Sequence, residues 1–257
     1  MEKKYLFFDI DGTLTDRSTG EIVPSAREAL TRLEENGHFV AIATGRAHYK
    51  ARKFTDANGF KNMVCCGGNG CVIDNELVEN IPLDKDGCIK IIHQAEKLGY
   101  GWCVALDDTK DVYMTDDKFL RQVGKRKEPT RYIIDDMLEV EKADAIYKVY
   151  VAIPKEDEEK LTTKELVGHL RFEPEYLMFQ PDNKRGGIIK MMEHLNADIK
   201  DVVVFGDDYN DMDMFCPEWF SIAMGNARQD LKDIANYVTD SNVDDGIKNA
   251  CEHFGWI

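Results

Sequence analysis

Asp9 and Asp11 stand one residue apart in Asp9-Ile10-Asp11-Gly12-Thr13, directly after the apolar run Tyr5-Leu6-Phe7-Phe8. Two carboxylates delivered to one loop at the end of a buried strand are costly unless something pairs with their charge. A second apolar run, Val202-Val203-Val204-Phe205, ends likewise in acids: Gly206-Asp207-Asp208-Tyr209-Asn210-Asp211. Two strands ending this way would build one anionic pocket, and carboxylate oxygens suit hard cations. Between them come Thr44-Gly45-Arg46, after Phe39-Val40-Ala41-Ile42-Ala43, and a lone lysine, Lys184.

The elements that must position these groups alternate strand and helix. Ser25 with Glu28 forms a capping-box pattern for a helix stopped by Gly37, with Ala26, Ala29, Leu30 and Leu33 at helical spacing. A strand over Phe39–Ala43, a helix from near Ala47 to Gly59 and a short strand over Met63–Cys66 follow. This β-α-β-α-β order predicts a parallel sheet with helices on its faces. Gly67-Gly68-Asn69-Gly70 reads as a loop, and the chain around Asp74-Asn75-Glu76 as a hairpin.

From about Pro82 to Gln180 the pattern changes. A helix over Gly87–Leu98, strands at Trp102–Leu106 and Val112–Met114, two helical stretches, a strand over Ile146–Ile153, a charged helix, and strands near Phe172 and Leu177–Phe179 are expected. None of the chemical motifs falls there, so this is an inserted domain. The first pattern then resumes with a helix over Gly186–Leu195, a strand to Gly206, a helix from about Asp208 to Phe215, a strand at Ser221–Ala223 and a last helix near Gly246–Phe254. The expected division is residues 1–81 and 181–257 as one α/β core, with 82–180 inserted.

Composition narrows the partners. At 257 residues the chain exceeds the common domain size, and 43% hydrophobic residues can fill a sizeable core. A formal net charge of −15 argues against nucleic acid and anionic membrane. No stretch approaches the roughly 20 apolar residues of a membrane span. The start Met1-Glu2-Lys3-Lys4 shows no apolar signal core, and seven cysteines without a Cys-x-x-Cys pair suit a reducing cytoplasm. Cys65-Cys66 reads as strand filler. No histidine spacing suits a metal, and no Gly-x-Gly-x-x-Gly or Walker loop is present.

Asp-x-Asp-Gly-Thr, Thr-Gly-Arg, Lys and Gly-Asp-Asp-x-Asn-Asp, in that order, resemble the haloacid-dehalogenase-like (HAD) phosphohydrolases. The insertion after the Thr-Gly-Arg strand, Asn69-Gly70 ahead of it, Ala223-Met224-Gly225-Asn226-Ala227 and Asp245-Gly246-Ile247 look like the type IIB, Cof-like branch. The resemblance implies a Rossmann-like parallel sheet with helices on both faces and an inserted α/β (C2-type) cap. Two positions depart from it: Asp208 stands where Gly is usual, and Arg185 follows Lys184 where Gly is usual. The first adds negative charge at the acidic motif; the second could add a cation near the phosphate.

Carried over residue by residue, the resemblance makes Asp9 the nucleophile and Asp11 the general acid and base. Mg²⁺ would be held by the Asp9 and Asp207 side chains and the Asp11 carbonyl, with Asp211 outside them or acting through water. Lys184 would bridge Asp9 and phosphate; the Thr44 hydroxyl and Gly45 amide would donate to phosphoryl oxygens. Arg46 would face the pocket or cap, Asn69 would touch substrate and Asn210 would orient neighbouring acids. An Asp at a helix start can equally be an N-cap, which suits Asp207 or Asp211 singly. The implied activity is a cytoplasmic, Mg²⁺-dependent phosphatase for a small phosphorylated metabolite. A phosphomutase of the phosphomannomutase type, or a non-catalytic regulatory protein on the same fold, stays open beside it.

Overall fold

A computed structural model describes residues 2–126 and 130–257. Two compact units emerge: residues 1–46, 53–79 and 183–257 in the first, 47–52 and 80–182 in the second. The first is built on an eight-stranded sheet. Its strands are β1 (Tyr5–Phe8), β2 (Phe39–Ala43), β3 (Met63–Cys65), β4 (Gly70–Ile73) and β5 (Glu76–Asn80), with β12 (Val202–Gly206), β13 (Phe220–Ala223) and β14 (Tyr237–Val238) from the last third of the chain. Their order is β14-β13-β12-β1-β2-β3-β4-β5. The six strands from β14 to β3 run parallel, and β4 pairs antiparallel with β3.

Continuous apolar runs mark strands covered on both faces, and Leu6, Phe7, Phe8, Val204 and Phe205 are fully buried. The chain winds from β1 to β2 and β3 on one side, then returns to β12 on the other. A parallel sheet binds its ligands outside the strand carboxyl ends at such a switch point. Asp9 and Asp207 stand there.

The helices are α1 (Pro24–Glu35), α2 (His48–Asn58), α3 (Lys85–Lys97), α4 (Lys118–Val123), α5 (Lys184–His194), α6 (Gln229–Ile234) and α7 (Gly246–His253). Ser25 does not cap α1: the helix starts at Pro24, after Val23, with no side-chain cap. Proline suits that first position, because it lacks an N–H that would go unpaired and its φ is already helical. The expected helix over Asp208–Phe215 is a 3₁₀ turn, Tyr209–Met214. Lys184 is the first residue of α5, capped by the Asn183 side chain, which accepts from Gly186 N.

The second unit carries a six-stranded sheet of order β10-β11-β9-β6-β7-β8. Its strands are β6 (Trp102–Ala105), β7 (Asp111–Met114), β8 (Arg131–Ile134), β9 (Lys148–Val151), β10 (His169–Glu173) and β11 (Tyr176–Phe179). Strand alternation gives it two apolar faces. Val149 and Val151 join Ile91, Ile92 and Phe179 in one cluster, while Tyr150 and Ala152 join Phe119, Leu170 and Met178 in the other.

Strand β8 replaces one of the two helical stretches expected after Met114, pairing parallel with β7. Tyr132-Ile133-Ile134 favours an extended chain, and the Arg131 guanidinium is bound by Asp111. The charged segment near Glu156 is a 3₁₀ turn, Lys155–Lys160. Its adjacent acids repel one another and are pinned by separate partners, Asp157 by Lys160 and Glu159 by Lys164. The expectations touching Met1 and residues 127–129 lie outside the described residues. No disulfide joins the seven cysteines, and among the described residues no helix is long and apolar enough to cross a membrane.

Candidate active site

Asp9 follows the last residue of β1, and its amide donates to Phe205 O at 3.1 Å, so the two acidic loops are stitched together at their origin. Asp9, Asp207 and Asp211 are all buried and can each offer one carboxylate oxygen, these oxygens lying within 4.8 Å of one another. Lys184 enters from the start of α5, its side chain 1% exposed. Its Nζ donates to Asp9 Oδ1 at 2.8 Å and to Asp211 Oδ1 at 2.6 Å. Among the described residues, Asp9 Oδ2 has no hydrogen-bond partner. Asp211 differs: its Oδ2 accepts from the Asp207 and Asp208 amides at 2.9 and 3.1 Å. It ties the acidic turn and the lysine together, while Asp208 caps the turn by accepting from Tyr209 N.

Three buried carboxylates face one lysine, and the electrostatics follow from that imbalance. Burial, reinforced by the Asp211 charge, pushes Asp9 up to about 7 against the pull of Lys184. Burial also pushes Asp207 up to about 6, opposed by its hydrogen bond from Arg17. Burial works against the Lys184 ammonium, yet Asp211 and Asp9 outweigh it and hold the lysine above its ordinary range. The upward shifts of Asp9, Asp207 and Lys184 share one origin: buried carboxylates outnumber the lysine, so the pocket favours an added cation. The donor set, oxygen throughout, fits a hard divalent ion such as Mg²⁺.

Asp11 turns the other way. Its side chain is 63% exposed, and both its oxygens accept from Arg46 Nη2, at 2.7 and 2.8 Å. The Arg46 guanidinium also lies 5.6 Å from the Phe54 ring centre. Thr44 is buried at the end of β2; its Oγ1 accepts from Arg46 N at 3.2 Å, leaving the hydroxyl proton to be donated. Gly45 lies half-buried between them. Asn69 follows the 3₁₀ turn Cys66–Gly68, which is bound to the start of α5 by Asn183 N donating to Gly67 O at 2.9 Å. Asn210 is half-buried in the acidic turn. Arg185 is engaged by other acids: its guanidinium pairs with Glu218 and its amide donates to Asp213.

Three residues to which the motif reading gave no role hold Asp207. Thr13 Oγ1 donates to Oδ1 at 3.0 Å, Arg17 Nη2 to Oδ2 at 2.7 Å, and Asn226 Nδ2 stands 3.4 Å from Oδ2 while donating to Gly12 O. Thr13 and Asn226 lie inside quoted motifs, which is the signal that could have found them; Arg17 carried none.

A parallel sheet with an acid-lysine cluster at its switch point and an inserted α/β unit defines a phosphotransfer fold, and comparison with known proteins places it. Residues 6–250 match the family model of the haloacid dehalogenase-like hydrolases, and the chain belongs to that family, in its Cof-like, subclass IIB branch. It is 30% identical over 260 residues, all of both chains, to the putative phosphatase YkrA of Bacillus subtilis. It is 28% identical over 269 residues to the pyridoxal phosphate phosphatase YbhA of Escherichia coli, covering 96% of this chain and 97% of that one. Among solved structures, a hypothetical protein from Geobacillus kaustophilus matches with a TM-score of 0.83 at 27% identity over all of both chains. The HAD subclass IIB sugar phosphatase BT4131 matches with a TM-score of 0.78 at 26% identity over 99% of this chain and all of that one. The protein is a phosphoric monoester hydrolase.

Proposed function

We propose that the chain is a cytoplasmic, Mg²⁺-dependent phosphatase that cleaves a small phosphorylated metabolite through an aspartyl-phosphate on Asp9. The observation that carries this is the state of Asp9: one oxygen bound by buried Lys184, the other without a partner, at the end of the central strand. A carboxylate held in place through one oxygen, with the other left open, is what in-line attack on phosphorus needs. Relatives support the substrate class without selecting a member. They include YbhA, named for pyridoxal phosphate, and YcsE of Bacillus subtilis, named for 5-amino-6-(5-phospho-D-ribitylamino)uracil. A sugar phosphate, a nucleotide or a cofactor phosphate all fit.

Mechanism follows from the chain's own groups. Asp9 Oδ2 attacks phosphorus as the ester P–O bond breaks, and Asp11 gives the leaving oxygen its proton. Asp11 then takes a proton from water, whose oxygen attacks phosphorus and breaks the bond to Asp9, restoring both carboxyl groups. Lys184, the Thr44 hydroxyl and the Gly45 amide donate to the phosphoryl oxygens. For Asp11 to reach the leaving group, its pair with Arg46 must open, which frees Arg46 toward substrate. Asp9, Asp207 and the Asp11 carbonyl would hold Mg²⁺, with Asp211 supporting them and Asn210 orienting the turn. The ion, when bound, offsets the carboxylate charge that otherwise repels a phosphate dianion. Residues 1–81 and 181–257 would form the catalytic core, 82–180 the cap, and Asn69 would touch substrate.

Release of inorganic phosphate from p-nitrophenyl phosphate, measured after chelation and after Mg²⁺ addition, tests the reading. Activity should depend on the ion and need no bisphosphate primer, which a mutase would require. Full activity after exhaustive chelation would overturn the metal assignment, and Asp9→Asn retaining turnover would overturn the nucleophile.

A further inference from the structure

Both oxygens of Asp207 already carry hydrogen-bond donors. Thr13 claims Oδ1, and Arg17 with Asn226 surrounds Oδ2. Two of these partners are fixed: Thr13 is fully buried, and Asn226 is held by Gly12 O at 2.8 Å and by the Asn242 amide at 2.9 Å. Arg17 is not. Its side chain is 57% exposed, on the loop after β1, and its ion pairs are made by one nitrogen to two acids. That Nη2 bridges Asp207 Oδ2 at 2.7 Å and Asp208 Oδ2 at 3.0 Å. Asp208 is the residue that stands where glycine is usual, and its carboxylate is partly exposed, so it can keep the guanidinium without the buried Asp207.

We propose that Arg17 is a resident counter-ion which holds Asp207 in the metal-free protein and retreats to Asp208 when a divalent cation takes Asp207. The inference rests on reading Asp9, Asp207 and Asp211 as a metal site. Its logic is competition between like charges: a divalent cation beside Asp207 repels the guanidinium bound to Oδ2, and the solvent-reaching arginine yields where the neutral, buried threonine at Oδ1 need not. While the ion is away, the guanidinium offsets part of the surplus charge of three buried carboxylates. Asp208 then has a task that glycine could not perform, keeping the displaced cation from drifting back onto Asp207.

Calorimetric titration of the chelated protein with MgCl₂, together with its melting temperature in EDTA, tests this apart from turnover. Arg17→Gln should tighten Mg²⁺ binding roughly two- to fivefold, the range an exposed ion pair spans, and lower the melting temperature in EDTA. Asp208→Asn, which can still cap the turn, should weaken Mg²⁺ binding, and most of that loss should vanish when combined with Arg17→Gln. Unchanged or weaker binding in Arg17→Gln would overturn the proposal, showing an arginine that merely steadies Asp207. A loss in Asp208→Asn of equal size with and without Arg17 would also overturn it, reducing Asp208 to a distant charge. A native protein that binds no Mg²⁺ would overturn the metal reading together with this one; binding by the native protein with no Arg17 effect sinks this proposal alone.

Discussion

Asp9 and Asp207 carry the pocket's imbalance into the pH dependence of the whole fold. Both are pushed up from an ordinary value of 3.8, to about 7 and about 6. A folded-state value above the unfolded one means that the fold favours the protonated acid. Their contribution to stability is therefore complete below about pH 4 and is lost as pH rises through 6 and 7. In EDTA the melting temperature should fall between about pH 4 and pH 7, and Mg²⁺ should flatten that fall. A melting temperature that rose with pH in EDTA would contradict the assignment. Asp9→Asn mimics the protonated acid, so it should end turnover yet raise the metal-free melting temperature at high pH. Asp11→Asn should cost ~10²–10⁴-fold on an alkyl phosphate, whose leaving group needs the proton. The loss on p-nitrophenyl phosphate should be smaller, confined to the water step that both substrates share; equal losses would remove Asp11 as the leaving-group acid. That Asp9, Asp207 and Asp211 share one pocket was legible from two apolar runs each ending in acids. The grip of Arg17 on Asp207 was not, because the two are 190 residues apart in sequence and only the pairing of β1 with β12 joins them.

At the scale of elements, Lys184 is placed by a close approach of two backbones. Gly68 has φ +105°, and a Cβ there would run into the Asn183 carbonyl, the residue before the lysine. Gly187, one turn into α5, has the Gly68 Cα and carbonyl oxygen 2.8 Å from where its own Cβ would stand. Gly68→Ala should therefore destabilise by about 1–3 kcal/mol from backbone strain alone and lower kcat as α5 withdraws its lysine. Urea titration and steady-state kinetics read both; an alanine variant with native stability would mean that the turn and helix can separate freely. Asn183→Ala removes the side-chain cap of α5 and should cost ~1 kcal/mol. Parallel strands and their flanking helices were legible because runs such as Val202-Val203-Val204-Phe205 leave little choice. Strand β8 was misread because it is a half-exposed edge whose hold comes from Asp111 across the sheet, and the turn after Gly206 because its capping box marks a helix start without fixing whether an α-helix or a 3₁₀ turn follows.

As a whole, the molecule is two units with separate cores, and every candidate ligand of the metal lies in the first. In scanning calorimetry, Mg²⁺ should raise the transition belonging to that unit and leave the other where it was. Equal shifts of both would show a single cooperative block. The large negative charge was legible at once, yet it located nothing: acids are spread along the whole sequence, and only folding selects the three that are buried together.

Strand β1 waits a long time for its neighbour. Tyr5 pairs with Val202, a separation of 202 − 5 = 197 residues, and ribosomes add about 5–20 residues each second. For roughly 10–40 s of synthesis, one side of the sheet's central strand has nothing to pair with, while residues 80–182 are already out and able to form their own sheet. Lys184 is made 175 residues after Asp9, so a chain interrupted between them carries the proposed nucleophile without its lysine. Such interrupted chains would present an open, sticky strand edge and no hydrolytic activity, an exposure that ends only when β12 appears.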